Sequence, residues 1–385
     1  MPSRSSRSVL YVGAALLVAG LLWLSQRPPT PSTQNQTNGP NAERSDVAVA
    51  DPIDPVGPRI GPLPPSNASD GAADSGSAPR FEQGQVLARA SWGSGPDQLG
   101  HNRPQEANPE APMSHVLGPD GTIHVLDQVN RRIQRFSRDG RLLGSTPVSL
   151  LGAQDIALAR DGSYVVMDRL ADQRIAIVGQ DGRERGRLTM TGEHIDRTGN
   201  VTGVFVDGDQ VLVEREHGPL VRVGDTNGQA AEPREEVPGR PTRDGRAWIT
   251  AGITDQNEGR LYINAVARPS REHMFTRELR VGLMTRSLVM LDSDARGTIY
   301  LGALGTPRAG VGAAPVADDS GASERVQVLL MCIDGATGRT IGQATLPPNT
   351  SADETFREFT VPDDGGVVYA VRSEQGVEFR RYDCR

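Results

Sequence analysis

One short unit recurs along most of this 385-residue chain and restricts it to repeat architectures. The unit is an apolar strand, a turn ending in Gly, and a second apolar strand. Second strands begin at Gly121 ("GTIHVLD"), Gly162 ("GSYVVMD"), Gly208 ("GDQVLVE"), Gly259 ("GRLYINA"), Gly297 ("GTIYLGA") and Gly366 ("GVVYAVR"). Ahead of them run "MSHVLGPDG", "AQDIALARDG", "NVTGVFVDGD", "WITAGITDQNEG", "SLVMLDSDARG" and "FREFTVPDDGG". Loose alternation of β-branched and aromatic residues reads as short strands. Asp-Gly and Asn-Glu-Gly between them are hairpin chemistry, since Gly and Asx tolerate the positive φ of a tight turn.

Third strands follow as "RRIQRFSRDG", "QRIAIVGQDG", "RVQVLLMCIDGATG" and "VEFRRYDCR", with weaker ones in "PLVRVGDTNG" and "FTRELRVG". Fourth strands appear in "GRLLGSTPV", "GRERGRLTM" and "GRTIGQATLP". A four-stranded antiparallel meander repeated six times predicts an all-β, six-bladed β-propeller. The sixth copy runs out after its third strand, while residues 84–91, within "GQVLARASWG", form a strand without three before it. The economical solution places that N-terminal strand in the last blade, which removes an exposed edge.

The stretch "WGSGPDQLG" followed by "PMSHVLGPDGTIHVLDQVNRRIQRFSRDGRLLG" resembles the NHL repeat. The matching residues are Pro112, Asp120, Gly121, Asp127, Asn130, Arg132, Ile133, Phe136, Asp139 and Gly140. The second copy keeps Asp161, Gly162, Asp168, Arg174, Ile175, Asp181 and Gly182, and the later four are degenerate. The resemblance implies a six-bladed propeller. It leaves function open, since the family mixes protein-binding, RNA-binding and a few enzymatic members. Its amidating lyases hold zinc through His directly after the repeat Pro; Met113 and Gln154 stand there in this chain.

The N-terminus reads as a targeting segment. Arg4 and Arg7 precede an uncharged apolar run at residues 9–24. As a helix it would span roughly 24 Å, a little short of a typical bilayer core. Cutting after Ser25 would put Trp23 at −3, a poor cleavage site, and no Cys follows for lipid attachment. We therefore expect residues 1–25 to be an uncleaved signal anchor with the rest extracytoplasmic, periplasmic or at the cell surface; cleavage would make the protein secreted. Residues 26–80 are rich in Pro, Ser, Asn and Asp and too poor in large apolar groups to offset the entropy of ordering. They read as a disordered linker, and residues 81–385 as the propeller.

Aligned on the turn Gly, the second strands end in Asp127, Asp168 and Glu214 in three consecutive copies, then Ala265, Ala303 and Arg372. Three carboxylates in a ring are candidate ligands for Ca²⁺ or another divalent metal. The structural alternative has Asp127 and Asp168 accepting hydrogen bonds in the next loop and facing Arg132 and Arg174. Glu214 lacks an Arg at the matching place, where Leu220 sits. His115 and His124 lie in adjacent strands but read as packing and surface. No GxSxG, HExxH or GxxxxGK occurs, so no catalytic residue and no organic cofactor is assigned. Cys332 and Cys384 invite a disulfide in an oxidising compartment. Alignment of the repeats nonetheless offsets them by about three positions. Residues 305–324 read as a passive insertion in the fifth copy.

The net charge of −7 gives no general attraction to nucleic acid. Every one of the 41 basic residues is Arg, so lysine chemistry is unavailable. The expectation is a membrane-anchored scaffold that binds a protein or an envelope polymer. The alternative is an extracytoplasmic metal-dependent propeller enzyme, a lyase or lactone-type hydrolase.

Overall fold

A computed structural model describes residues 81–308, 326–349, 351 and 353–384, all within the unit Asp70–Arg385 of the chain. The expected anchor at 9–24, the linker at 26–80 and most of the insertion at 305–324 lie outside the described residues. Among the described residues no helix is long and apolar enough to cross a membrane.

Six four-stranded antiparallel sheets form a six-bladed β-propeller. Blade one sets the pattern, from inner to outer strand: Ser114–Leu117, Ile123–Asp127, Arg132–Phe136 and Leu142–Pro147. Its first hairpin needs a left-handed residue, and Gly121 supplies it at φ 79°. Gly162 does the same in blade two at φ 80°. The second strands of these two blades are buried throughout.

Apolar side chains fill the gaps between blades. Leu126, Ile133, Ile156 and Tyr164 join blades one and two. Met167, Ile175, Val204 and Val213 join two and three. Fully burying one such aliphatic side chain contributes about 1.5–3 kcal/mol. The gap between blades three and four is the thinnest, with Leu212, Leu220, Val237 and Trp248 as its buried core.

The ring closes as expected. Gln85–Ser91 is the outer strand of blade six, outside Phe359–Thr360, Val367–Ser373 and Gly376–Tyr382. Its register runs from Gln85 opposite Arg381 to Ser91 opposite Gly376.

Blade four corrects the sequence reading. Its inner strand is only Arg240–Pro241, and the first turn is at Asp244-Gly245, with Gly245 at φ 72°. The second strand is Ala247–Asp255, the third Arg260–Ala267 and the outer His273–Arg280. "GRLYINA" is therefore a third strand and "FTRELRVG" belongs to the outer one. The residue aligned with Asp127 is Ala251 rather than Ala265. A two-residue strand containing Pro leaves no apolar run ahead of Asp244-Gly245. The next hairpin, at Gly259, carries the same turn chemistry and takes its place in the pattern.

The two cysteines are bridged, with Cα atoms 6.1 Å apart, inside the roughly 7 Å that a disulfide spans. Cys332 lies on the third strand of blade five. Cys384 lies beyond the end of its own strand at Tyr382, where the chain is no longer held to blade register. The offset in the repeat alignment is thereby made up.

Candidate functional site

The three aligned carboxylates are each occupied by their own surroundings. Asp127 accepts bonds from Gly100 N (2.8 Å), Asn130 Nδ2 (2.8 Å) and Arg132 Nε (2.9 Å). Asp168 accepts from Gly152 N (2.7 Å), Ala171 N (2.8 Å) and Leu170 N (3.1 Å). Each thus pins the loop entering its blade through a Leu-Gly dipeptide. The expected Asp168–Arg174 pair does not form; Arg174 turns to Glu184 at 2.8 Å. Glu214 finds its arginine in the next blade, with Arg240 at 2.7–2.8 Å, and accepts from Thr202 Oγ1 at 3.0 Å. Burial works against its charge, but Arg240, His217 and Thr202 outweigh that and hold the carboxyl at about 2. Among the described residues no group of three or more His, Cys, Asp or Glu is placed to hold a metal ion.

His115 and His124 point to opposite sides of blade one. His115 meets Thr360 Oγ1 at 3.0 Å and the edge of Phe379. His124 Nδ1 meets Tyr164 OH at 2.9 Å. Burial is the main force lowering both, to about 3 and about 4, so both are neutral near pH 7.

The centre of the ring holds a buried ion pair that sequence spacing did not reveal. Asp155, on the inner strand of blade two, accepts Ser114 Oγ (2.6 Å) from blade one and Val204 N (2.9 Å) from blade three. Arg357, entering blade six, donates Nη2 to Asp155 at 2.7 Å and to Val204 O at 2.7 Å. Arg357 and Arg240 both stand over the Phe205 ring, 4.9 Å from its centroid. A cavity of about 60 Å³ lies beside this cluster.

From there a cleft of about 550 Å³ opens on the face that carries Glu214 and His217. Its walls are Ile249, Ala251 and Ile253 of blade four and Leu288, Val289 and Met290 of blade five. The short inner strand of blade four creates it. At four of the six junctions the inner strands of neighbouring blades meet, whereas here the second strand of blade four meets the inner strand of blade five. Tyr262 of the third strand covers Gly252 of the second. The opposite face holds a hollow of about 720 Å³ among the inner turns. Its charged groups are largely paired internally, as in Arg243–Asp363 (3.0 Å), Asp161–Arg185 (3.5 Å) and Arg135–Gln180 (2.8 Å). The cleft is smaller but offers apolar walls with an open strand edge, which is the better ground for binding.

No protein-family model and no curated protein matches the chain. Among solved structures it is similar to Kuenenia stuttgartiensis hydrazine synthase, at 14% identity over 70% of this chain and 78% of that one, with a TM-score of 0.46. A streptogramin B lyase structure aligns at 11% identity over 74% and 97% of the two chains, with a TM-score of 0.39. The WD40 repeats of RRP9 align at 11% identity over 78% and 100%, with a TM-score of 0.45.

Proposed function

We propose that this protein is a binding propeller of NHL-like type, held outside the cytoplasm by its N-terminal segment, and that it grips a protein partner in the cleft between blades three, four and five. The observation that carries this is the contrast between the internally paired charges at the centre and the open cleft. Asp155 and Arg357 consume each other at the axis, while Ala251, Ile253, Leu288 and Val289 in the cleft walls are only partly buried. The candidate carboxylates Asp127, Asp168 and Glu214 act as braces for loops and neighbouring blades, a structural use of their charge. The Cys332–Cys384 bridge supports the extracytoplasmic address, because disulfides persist in oxidising compartments.

Site-specific photo-cross-linking in native envelopes tests the reading. A photoreactive residue at His217, which lines the cleft, should give discrete protein adducts; one at Leu143, in the opposite hollow, should not. Adducts from Leu143 alone would move the site to the other face. Metal analysis of the purified protein, with melting curves in EDTA, addresses the enzyme alternative. Bound divalent metal and a lowered melting temperature would favour it.

A further inference from the structure

The pairing of blade four's inner strand stops at Arg240 opposite Ile249, yet the second strand runs on to Asp255. Thr242 N donates to Ala247 O at 2.9 Å, and Arg268 N donates to Arg246 O at 2.8 Å. These two bonds fix the alternation. Residues 247, 249, 251 and 253 turn their N–H and C=O inward, and residues 250 and 252 bond to the third strand. Among the described residues none bonds to the inward N–H and C=O of Ala251 and Ile253. Two residues before Arg240 stands Pro238, which has no N–H to offer.

Blade six meets the same shortage differently. Its inner strand is also two residues long, Phe359–Thr360. There the Asn349 carboxamide donates to Ala370 O at 2.9 Å and accepts from Arg372 N at 2.8 Å, as a neighbouring peptide group would. Blade four lacks such a substitute, and its bare edge lines the cleft. The charges beside that edge cancel, Glu214 against Arg240 and Asp155 against Arg357. The partly exposed apolar walls that remain are Ala251, Ile253, Leu288 and Val289. A near-neutral, apolar wall along an open edge complements an uncharged strand.

We propose that residues 251–253 form a strand-addition site, which takes an extended, uncharged segment of a partner protein, apolar at alternate positions, as the missing inner strand of blade four. It builds on the cleft proposed above as the binding site.

The test uses the full chain in detergent and random peptides displayed on phage as the probe. Recovered peptides should slow amide exchange at Ala251 and Ile253 by about tenfold or more while leaving Thr250 and Gly252, already bonded to the third strand, unchanged. N-methylation at alternate peptide positions should weaken binding by about 2- to 10-fold at each position. Ala251→Pro removes only an N–H outside the ladder, so the fold should survive and binding should be lost. If that variant does not fold, amide exchange in the wild-type chain decides. Ser287→Trp fills the cleft and separates the two claims. Peptides that it excludes, but that leave Ala251 and Ile253 exchanging freely, would overturn strand addition and keep the cleft. No recovered peptide, or peptides indifferent to Ser287→Trp, would overturn both.

Discussion

Blades four and six face one problem and solve it in opposite ways. Each has a second strand longer than its two-residue inner strand. In blade six the chain before the inner strand is tied down: Asn349 covers the edge, and Arg372 pairs with Glu358 at 3.4 Å. Arg357 then reaches across the axis to Asp155. In blade four Arg240 pairs with Glu214 and donates to Leu291 O at 2.6 Å, but among the described residues no amide covers the strand. A truncated inner strand is thus a matter of stability where side chains complete it and a matter of binding where they do not.

The contrast can be broken from either side. The largest effect is expected at the axis, where Arg357→Ala strands the Asp155 charge in a buried site. Denaturant unfolding should show a loss of about 3–5 kcal/mol. Reducing the Cys332–Cys384 bridge, which ties blade six to blade five across 52 residues of sequence, should cost about 2–4 kcal/mol in the same measurement.

Acid should act next on the Glu214–Arg240 pair that joins blades three and four. The folded Glu214 carboxyl titrates at about 2 against an ordinary 4.5, so between those values the unfolded chain binds the proton more readily. Its stabilisation, on the order of 3 kcal/mol, is complete above pH 4.5 and lost as pH falls toward 2. Glu214→Gln should flatten the stability profile in that window. Asn349→Ala should cost about 1–2 kcal/mol by uncovering Ala370 O and Arg372 N, and should speed exchange of the Arg372 amide. The smallest change is expected for Ala251→Pro in blade four, under about 1 kcal/mol, because no internal bond depends on that N–H. If Asn349→Ala and Ala251→Pro cost the same, the two edges are equivalent and the comparison fails.

The fold was legible because Asp-Gly turns and apolar alternation are local, and each blade restates them. The closing strand at 85–91 was legible by subtraction, since one strand was spare and one missing. Blade four was misread because a strand of Arg240 and Pro241 leaves no apolar signal and the turn at Gly259 imitates the turn at Gly245. The site was illegible for a different reason. Glu214 was visible, but Arg240 comes from another blade, and Asp155 and Arg357 are 202 residues apart in sequence. An open edge is the absence of a strand, and the register of pairing that reveals it is three-dimensional. Asn349, in a loop without pattern, gave no sign that its amide would stand in for a peptide group.

The closure of blade six also sets a clock on biosynthesis. Gln85–Ser91 is made well before its partner Gly376–Tyr382, since the paired Arg89 and Glu378 lie 289 residues apart in sequence. At roughly 5–20 residues per second the first strand waits tens of seconds for a mate. Throughout that interval it is an unpaired edge, with Arg89 as its charged guard until Glu378 arrives to receive it at 2.6 Å. The ring therefore closes late, when its two distant strands meet, and a growing chain stays open until Gly376–Tyr382 has been added.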